Sequence, residues 1–359
     1  MSSFAPGPTR RCVLSSAAAA VLGTALPGRA AAALGRVADL RILAWPGYAD
    51  DDLVQDFERR HGCRVAVNIV ASDEVLWQRM QARQGGDFDV LALNTAELQR
   101  YIQADLVQAV PRAALRSQPE WQPRLRDLSA IGGLVRGVQV FGVPFVFADM
   151  GLIHDLRQMP QPPQSIRALW DPRWRGRVLA YDSGTHNFSL AAQVLGAPSP
   201  FRLRETDWVP AVEQLVALRR NAMGFYTQPE ESVDWFMRRK AALMFANYGT
   251  QQLQLLRAAG AEVGYALPRE GALAWLDCWA ISRQAHDTQL AAAWIDHMLG
   301  TAAAAVMRQR HGLSHVRTKA APDGTQGLWW LEPPEDTARR NRLWRRIVAG
   351  DLVSRVLLP

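Results

Sequence analysis

The stretch ALPREGALAWLDCWAI, residues 266–281, decides how this chain folds and where its function is expected. Its second half alternates like a β-strand, so Trp275, Asp277 and Trp279 share one face while Cys278 lies on the other. An indole ring beside a carboxylate suits a ligand ammonium group, because the ring face attracts the cation and the carboxylate pairs with it. A core tryptophan beside a solvated aspartate is the alternative that these residues leave open.

The N-terminus predicts the compartment. Residues 9–14 contain the paired arginines Arg10 and Arg11, followed by an Ala-rich apolar stretch that is too short to span a bilayer. This pattern is typical of a twin-arginine export signal. We therefore expect residues 1–33 to be a signal peptide that is cleaved near residue 33, and the mature protein to be periplasmic. A disordered Ala-rich tail is the alternative.

Composition is that of a globular protein, with 48% hydrophobic and 21% charged residues. Loss of the three arginines of residues 1–33 lowers the formal net charge from +7 to +4. Much of the remaining excess lies in 339–346, which predicts the solvated face of a helix whose apolar side carries Leu343, Trp344 and Ile347. No nucleic-acid-binding module is recognisable, so nucleic acid is not an expected partner.

Two cysteines remain after processing, Cys63 and Cys278, in a compartment where disulfides form. The sequence neither requires nor excludes a bridge between them. His311 and His315 are four positions apart without a third ligand nearby, so no metal site is expected. No cofactor is expected either.

Along the mature chain, segments with the hydrophobic spacing of a strand alternate with segments that have the spacing of a helix. We expect strands and helices in turn over 40–45, 50–61, 63–70, 72–83, 88–93 and 95–104. This order predicts an α/β fold with a mostly parallel sheet covered by helices. Ligands in such sheets bind beyond the carboxyl ends of the strands, which carry Trp45, Tyr48, Asn94 and Thr95 here.

A second region repeats this scheme. A strand over 141–149 is interrupted by Pro144, which is expected where a chain changes sheets, and 151–154 continues extended. Further helices are expected over 165–169, 187–195, 212–220, 233–239 and 251–259, and strands over 177–180 and 242–246. The chain then returns through the Trp275 strand.

These segments resemble the periplasmic solute-binding proteins of ABC importers, in the spermidine/putrescine-binding branch. The resemblance is carried by the order and spacing of residues 43–48, 88–90, 142–145, 169–176, 242–249 and 274–281. It implies a type II fold of two α/β lobes joined by two hinge crossings, near Pro144 and Trp275, with the ligand in the cleft between the lobes. The implied N-terminal lobe comprises 38–144 and 276–320, and the C-terminal lobe 145–275 and 321–359.

The resemblance also carries over site residues. Trp45 and Tyr48 match cleft aromatics of polyamine-binding relatives, and Trp275 and Asp277 match a Trp-x-Asp whose aspartate takes a ligand amine. An acidic residue of those relatives, however, falls on Gly47.

At other positions, too, this chain has a different residue type from the polyamine-binding relatives. Acidic residues fall near Ser183 and His186, a cleft tryptophan on Asn247, and an aromatic on Leu313. Asp277 is therefore the only acidic residue in a matched position, which favours a singly cationic or zwitterionic ligand over spermidine.

Asp149 and Asp182 each supply a second carboxylate if they face the cleft, and a helix-cap or loop aspartate is the alternative for each. His186 and Asn247 are expected to face a ligand carboxylate or hydroxyl, unless His186 is a surface residue. The full set of predicted ligand-binding residues is Trp45, Tyr48, Asn94, Thr95, Phe147, Asp149, Ser183, His186, Asn247, Tyr248, Trp275 and Asp277.

The leading functional hypothesis is a monomeric, non-catalytic binding protein that delivers a small amine-containing solute to an ABC permease. A binding protein for an anionic or neutral solute and a sensory module remain as alternatives. An enzyme with a cysteine nucleophile is disfavoured, because Cys278 faces away from Asp277 and Cys63 begins its strand at the end opposite the cleft.

Overall fold

The computed structural model describes residues 39–70, 72–318 and 327–358. The predicted signal peptide of residues 1–33 lies outside the described residues, as does the predicted limit between residues 320 and 321. The described strands are β1 (Asp39–Ala44), β2 (Arg64–Ile69), β3 (Val90–Asn94), β4 (Val107–Gln108), β5 (Val135–Arg136), β6 (Gln139–Val140), β7 (Val143–Met150), β8 (Leu152–Asp155), β9 (Val178–Tyr181), β10 (Ala222–Tyr226), β11 (Leu243–Phe245), β12 (Val263–Ala266), β13 (Ala272–Ser282), β14 (Ser314–His315) and β15 (Leu328–Trp330).

The described helices follow the same chain order. They are α1 (Asp51–His61), α2 (Asp73–Ala82), α3 (Thr95–Gln103), α4 (Pro123–Arg126), α5 (Gly184–Leu195), α6 (Trp208–Asn221), α7 (Pro229–Arg238), α8 (Thr250–Ala258), α9 (Thr288–Met298), α10 (Thr301–Arg310), α11 (Thr337–Val348) and α12 (Val353–Val356). Within the described residues no single helix is long and apolar enough to cross a membrane. The pair α9 and α10 meets that measure only when joined across a bend of 57°.

The first sheet has the order β14-β7-β13-β3-β1-β2, and β4 and β15 also pair with β13. Its strands β1, β2 and β3 are parallel, as the alternating periods predict, whereas β7 and β13 pair antiparallel with each other and β13 with β3. The carboxyl ends of the parallel strands therefore lie together next to β13. This is the edge where the sequence places the ligand.

The second sheet has the order β10-β9-β11-β8-β12. Strands β9, β10 and β11 are parallel, while β8 and β12 run antiparallel to their neighbours. The two sheets confirm the predicted α/β fold of two lobes. We call the part built on the first sheet the N-lobe and the part built on the second sheet the C-lobe.

Three chain segments pass between the lobes in the part of the chain that the structure describes, and the third runs from β15 to α11. Strand β7 leads into β8 at Gly151, and β12 leads into β13 between Ala266 and Ala272. The predicted lobe limits near Pro144 and Trp275 fall inside β7 and β13, since both strands continue past the point where the sheets were expected to change. Pro144 lies next to a register shift in the pairing of the two strands, a position where the ladder tolerates its missing N–H.

Each lobe has its own buried cluster. Ile42, Leu91 and Trp279 belong to the cluster of the N-lobe, and Phe188 and Trp208 to one of the clusters of the C-lobe. The half-buried side chain of Trp275 packs against both, which is what a residue on a hinge strand should do.

Local signals explain several helix boundaries. The side chain of Ser72 caps α2 by accepting from the Val75 N–H, and Gly62 ends α1 in the left-handed conformation. Helix α5 begins at Gly184, three residues before the predicted start, because Ser183 caps it.

Helix α11 corrects one sequence prediction. Leu343, Trp344 and Ile347 are buried as expected, but Arg340 lies on the same face and has no exposed surface. Its guanidinium donates to both carboxylate oxygens of Glu335, at 2.9 and 2.8 Å, and to the Ser189 hydroxyl at 2.9 Å. These partners compensate the burial of the charge. Arg340, which the sequence predicted on the solvated face of the helix, therefore belongs to the interior.

Candidate ligand-binding site

The site is built around Asp277, whose side chain lies where β13 passes the end of β3. The residue is only 7% exposed. The Tyr48 hydroxyl donates to its Oδ2 at 2.7 Å, and the Asn94 Nδ2 donates to its Oδ1 at 3.1 Å. Both donors are neutral, and none of the described ion pairs includes Asp277. A buried carboxylate without a cation is therefore the central feature of the site.

Short-range structure positions the two donors. Strand β1 is followed by a turn, in which the Tyr48 N–H donates to the Trp45 carbonyl at 3.2 Å. The Tyr48 ring packs edge-on against Phe145, with 5.4 Å between the ring centres. Asn94 caps α3 by accepting from the Ala96 N–H at 2.9 Å, which leaves its Nδ2 free for Asp277. The predicted residues Tyr48, Asn94 and Asp277 are thus brought together.

Burial controls the ionisation of this cluster. It raises the pKa of Asp277 to about 6, against the opposing effect of the hydrogen bonds from Tyr48 and Asn94. The pKa of Tyr48 is raised as well, first by burial and then by the Asp277 charge, so its hydroxyl keeps its proton and remains a donor. A ligand cation next to Asp277 would stabilise the ionised carboxylate.

Trp275 links this cluster to the C-lobe. Its Nε1–H donates to the Asn247 carbonyl at 3.1 Å, just beyond the end of β11. Asn247 is 6% exposed, and its Oδ1 is buried without a partner among the described residues. The buried Nε1 of Trp45 also lacks a described partner. Both atoms are hydrogen-bonding groups that a ligand can satisfy.

The expectation that the Tyr48 ring lines the cleft, as the resemblance implies, needs a correction. With 4% exposure, its ring belongs to the core of the N-lobe, and only its hydroxyl reaches Asp277. Tyr48 orients the carboxylate and does not form a wall of the site.

The structure gives a reason why position 47 carries glycine and not the acidic residue that the resemblance implies for this position. Its φ is +82°, and a Cβ at this position would lie 2.7 Å from the His311 ring. That ring pairs with Asp50 at 3.0 Å. A side chain at position 47 would therefore be strained and would clash.

Ser183, His186 and Tyr248 lie at the carboxyl ends of C-lobe strands. The Ser183 Oγ and His186 Nδ1 are 2.7 Å apart, and burial lowers the pKa of His186 to about 4, with the Arg340 charge acting in the same direction. His186 is half-buried, packs against Tyr181 at 5.4 Å and is neutral near pH 7, so it is not a free surface histidine. The Tyr248 hydroxyl is bound to the Thr227 carbonyl at 2.8 Å.

Phe147 and Asp149 do not join this cluster. Directly paired residues of antiparallel strands share a face, and Asp277 pairs with Val146 and Trp275 with Ala148. Phe147 and Asp149 therefore project from the opposite face, against the prediction that they bind the ligand together with Asp277.

Neither Asp182 nor Thr95 has a hydrogen bond to Asp277 among the described residues. The Asp182 Oδ1 accepts from the Trp344 indole at 2.7 Å. Thr95 is buried at the first turn of α3.

The predicted set of site residues left out Asp73, at the first position of α2, although the residue follows a predicted strand end. Surrounding protein raises its pKa to about 7, and the charges of Glu97 and Asp277 add to the effect. Burial is the largest cause of the raised pKa values of Tyr48 and Tyr181, and the charge of Asp73 adds to both. Asp73 therefore lies within electrostatic range of both lobes. The side chain is exposed, so water screens part of this shift. The signal was its place beyond the carboxyl end of β2, four positions after Ile69, since β2 is parallel to β1.

Neither described cysteine contributes a side-chain hydrogen bond to the Asp277 cluster. Cys63 and Cys278 are both free and buried. The Cys278 Sγ–H points to the Leu93 carbonyl at 3.5 Å, on the face away from Asp277 as predicted, and burial raises its thiol pKa well above the ordinary value. Among the described residues no group of three or more His, Cys, Asp or Glu side chains could hold a metal ion.

The fold and this hinge-side cluster define a two-lobe solute-binding protein. The model of the bacterial extracellular solute-binding protein family matches residues 52–332, and the chain belongs to that family. Its curated relatives include periplasmic proteins that are named for binding spermidine or putrescine.

Curated relatives and solved structures agree on this class. The chain is 21% identical over 287 residues to the spermidine/putrescine-binding periplasmic protein 1 of Haemophilus influenzae, covering 78% of this chain and 76% of the relative. It is 23% identical over 274 residues to the putrescine-binding periplasmic protein PotF of Escherichia coli, covering 72% and 73%. The crystal structure of the TpPotD lipoprotein of Treponema pallidum superposes with a TM-score of 0.73 at 14% identity, covering 86% of this chain and 99% of that one.

Proposed function

We propose that this protein captures a small amine in the cleft between its lobes, with the ligand ammonium group against Asp277, and presents it to an ABC permease. The observation that carries the proposal is the buried Asp277 carboxylate, held by two neutral donors and without a cation. A ligand ammonium group supplies the missing charge, and Trp275 offers an aromatic surface beside it.

The names of the relatives support an amine ligand, since those proteins bind spermidine or putrescine. The residues here support a ligand with one buried ammonium group. The predicted acids Asp149 and Asp182 are bonded elsewhere, and Asp73 is the additional acidic side chain near the cluster. A second, polar end of the ligand would meet the unpartnered Trp45 Nε1 and Asn247 Oδ1. The class is therefore a monoamine with a polar end, a zwitterion or a short diamine.

Binding without catalysis is the second part of the proposal. The buried Cys278 thiol faces away from Asp277, and its raised pKa keeps it protonated and unreactive. A monomer that acts through lobe closure is expected, as in other two-lobe binding proteins.

The test is a thermal-shift screen over putrescine, spermidine, amino acids and other zwitterionic amines, followed by titration calorimetry with the best hit. Asp277→Asn should weaken binding by about 30- to 3000-fold, since removing the partner of an enclosed charge costs about 2–5 kcal/mol. Cys278→Ser, the adjacent position on the other face, is the matched control and should bind like the wild type. A ligand without a cationic group, or wild-type affinity in Asp277→Asn, would overturn the amine assignment.

Export is proposed to follow the twin-arginine route. Replacement of Arg10 and Arg11 with lysine should leave the precursor in the cytoplasm, as measured by fractionation and immunoblotting. Undiminished periplasmic protein from this variant would exclude that route.

A further inference from the structure

A basic groove lies at one edge of the second sheet, in the C-lobe. Arg175 and Arg177 come just before β9, and Lys240 comes just before β11, so the groove lies at the amino ends of these parallel strands. Ser183 and Tyr248 lie at the opposite, carboxyl ends, so the groove is separate from the solute site. Its volume is about 710 Å³, and its charged lining residues are Asp155, Arg157, Arg175, Arg177, Arg239, Lys240 and Glu262.

The two carboxylates of the groove are already engaged. The Asp155 Oδ1 accepts from the backbone N–H groups of Arg157 and Gln158, at 2.9 and 2.8 Å. Glu262 forms an ion pair with Arg157. The lining carries five cationic and two anionic side chains, so the groove has an excess of three positive charges.

The other four cations have no ion pair among the described residues. Arg177 donates to a neutral amide oxygen at 3.1 Å, and the Arg239 guanidinium carbon lies 4.1 Å from the centre of the Trp235 ring. In the part of the chain that the structure describes, the side chains of Arg175 and Lys240 make no hydrogen bond or ion pair. Positive charges that share a groove repel one another, so a bound anion would stabilise this arrangement.

Helix dipoles explain only part of this charge. Cations are favourable near the C-terminus of a helix, and Arg239 and Lys240 directly follow the end of α7. Arg157, Arg175 and Arg177 lie outside the described α-helices, so the dipoles do not account for them.

The backbone at Lys240 is a second, independent observation. Lys240 has a φ of +54°, and the Ala241 N–H donates to the Phe236 carbonyl at 3.0 Å. This is the helix-ending turn in which glycine is preferred, because a side chain is strained at positive φ. The chain thus places a lysine in the groove where the backbone favours glycine. Strain of this kind points to a function of the side chain.

We propose that this groove binds a small anion that carries two or more phosphate groups. Four of the five cations are arginines, whose planar guanidinium groups form paired hydrogen bonds with phosphate oxygens. One phosphate group carries between one and two negative charges near pH 7, so an excess of three positive charges matches two or more of them. The volume of the groove is that of a small-molecule site. The inference goes beyond the proposed function and does not depend on the amine assignment.

The test is titration calorimetry of the mature protein with inorganic tripolyphosphate. The wild type should bind it at one site, and the affinity should fall as salt is added, because salt screens exposed charges. Arg175→Gln should weaken binding about two- to fivefold, as expected for one screened charge pair. The triple variant with Arg175→Gln, Arg177→Gln and Lys240→Gly should weaken it about tenfold or more.

Lys240→Gly separates binding from folding. It removes a charge but relaxes the backbone, so it should raise the melting temperature by about 1–2 °C while it weakens binding about two- to fivefold. The control is Arg59→Gln, on α1 of the N-lobe, where the side chain is 68% exposed. It changes the net charge by the same amount and should bind tripolyphosphate like the wild type.

Four outcomes of these titrations would overturn the proposal. They are a wild type that does not bind tripolyphosphate at low salt, a triple variant with wild-type affinity, a Lys240→Gly variant with wild-type affinity, and an Arg59→Gln variant that loses as much affinity as Arg175→Gln.

A membrane surface as the partner would give a different result. The wild type would then bind phosphatidylglycerol vesicles but not phosphatidylcholine vesicles, the triple variant would bind neither, and tripolyphosphate would not displace the vesicles. That result would overturn the assignment of a small anion.

Discussion

The hydroxyl of Tyr48 and the carboxylate of Asp277, 229 positions apart in the chain, are joined by a hydrogen bond of 2.7 Å. This bond ties the loop after β1 to a strand that leads to the other lobe. It orients the carboxylate but does not neutralise it, so the site keeps a negative charge in a buried place. We infer that the unliganded protein carries an electrostatic cost that solute binding relieves.

That cost should be visible in the stability of the unliganded protein. The raised pKa of Asp277, about 6 against 3.8, means that the folded protein holds this proton more tightly than the unfolded chain. The stabilisation from protonation is complete below pH 4 and is lost as the pH rises through 6. Asp277→Asn has no carboxyl group at this position, so its stability does not show this fall with rising pH. The stability of Asp277→Asn relative to wild type should therefore rise by about 2–3 kcal/mol between pH 4 and pH 7.

Denaturant unfolding of both proteins across this pH range measures the difference. Improved stability together with lost binding would identify Asp277 as a functional residue. A difference that is flat with pH would contradict the raised pKa.

Binding itself should depend on pH in the opposite sense. A ligand cation favours the ionised carboxylate, so affinity should be constant well above pH 7 and fall as the pH drops through 6, up to tenfold per pH unit. Because the pKa of Asp73 is raised as well, the profile is best measured in an Asp73→Asn background. Calorimetry in buffers of different ionisation enthalpy should detect proton release on binding near pH 6. Proton uptake there would contradict the assignment.

Much of this site was predictable from sequence because it depends on strand periodicity. The alternation around Trp275 placed Asp277 and Cys278 on opposite faces, and the structure agrees. Phe147 and Asp149 were misplaced because their face depends on the register of β7 against β13, which a single strand does not reveal. Helical periodicity likewise did not indicate that Arg340 would find Glu335 and so be buried.

The hydroxyl of Tyr48 is predicted to contribute to binding through Asp277. Tyr48→Phe removes a hydrogen bond that orients Asp277 and favours its ionised form, so affinity should fall, most strongly near pH 6. The pH midpoint of binding should rise, since the bond also lowers the pKa of Asp277. In an Asp277→Asn background the same change should have little further effect, as measured by a double-mutant cycle in calorimetry. Equal effects in both backgrounds would show that Tyr48 acts on the ligand directly.

Arg340 is predicted to be a structural residue of the C-lobe. Arg340→Met leaves Glu335 and the Ser189 hydroxyl without their partner and should destabilise the protein by about 3–5 kcal/mol. The matched control is Arg342→Met, on the exposed face of the same helix, which should change stability by less than about 0.5 kcal/mol. Thermal unfolding of the two variants makes the comparison. Equal melting temperatures would show that the buried ion pair contributes no net stability.

Asp73 is predicted to discriminate between ligands with one and two amino groups. Its charge lies within range of Asp277, so a second ammonium group of a short diamine would be attracted to it while the first pairs with Asp277. Because the Asp73 side chain is exposed, the contribution is that of a screened pair, about 0.5–1 kcal/mol. Asp73→Asn should therefore weaken the binding of putrescine about two- to fivefold and leave a monoamine of similar length unaffected.

The neighbouring variant Glu74→Gln, on the exposed first turn of the same helix, controls for a general change in surface charge. The two titrations should be run at pH 8, where both carboxylates are ionised, and repeated at high salt, which should remove most of the Asp73 effect. An equal loss for diamine and monoamine would contradict this role, since Asp73 would then attract the ammonium group that both ligands share. A larger loss for the diamine at low salt would extend the site from one carboxylate to two and make a short diamine the better candidate ligand.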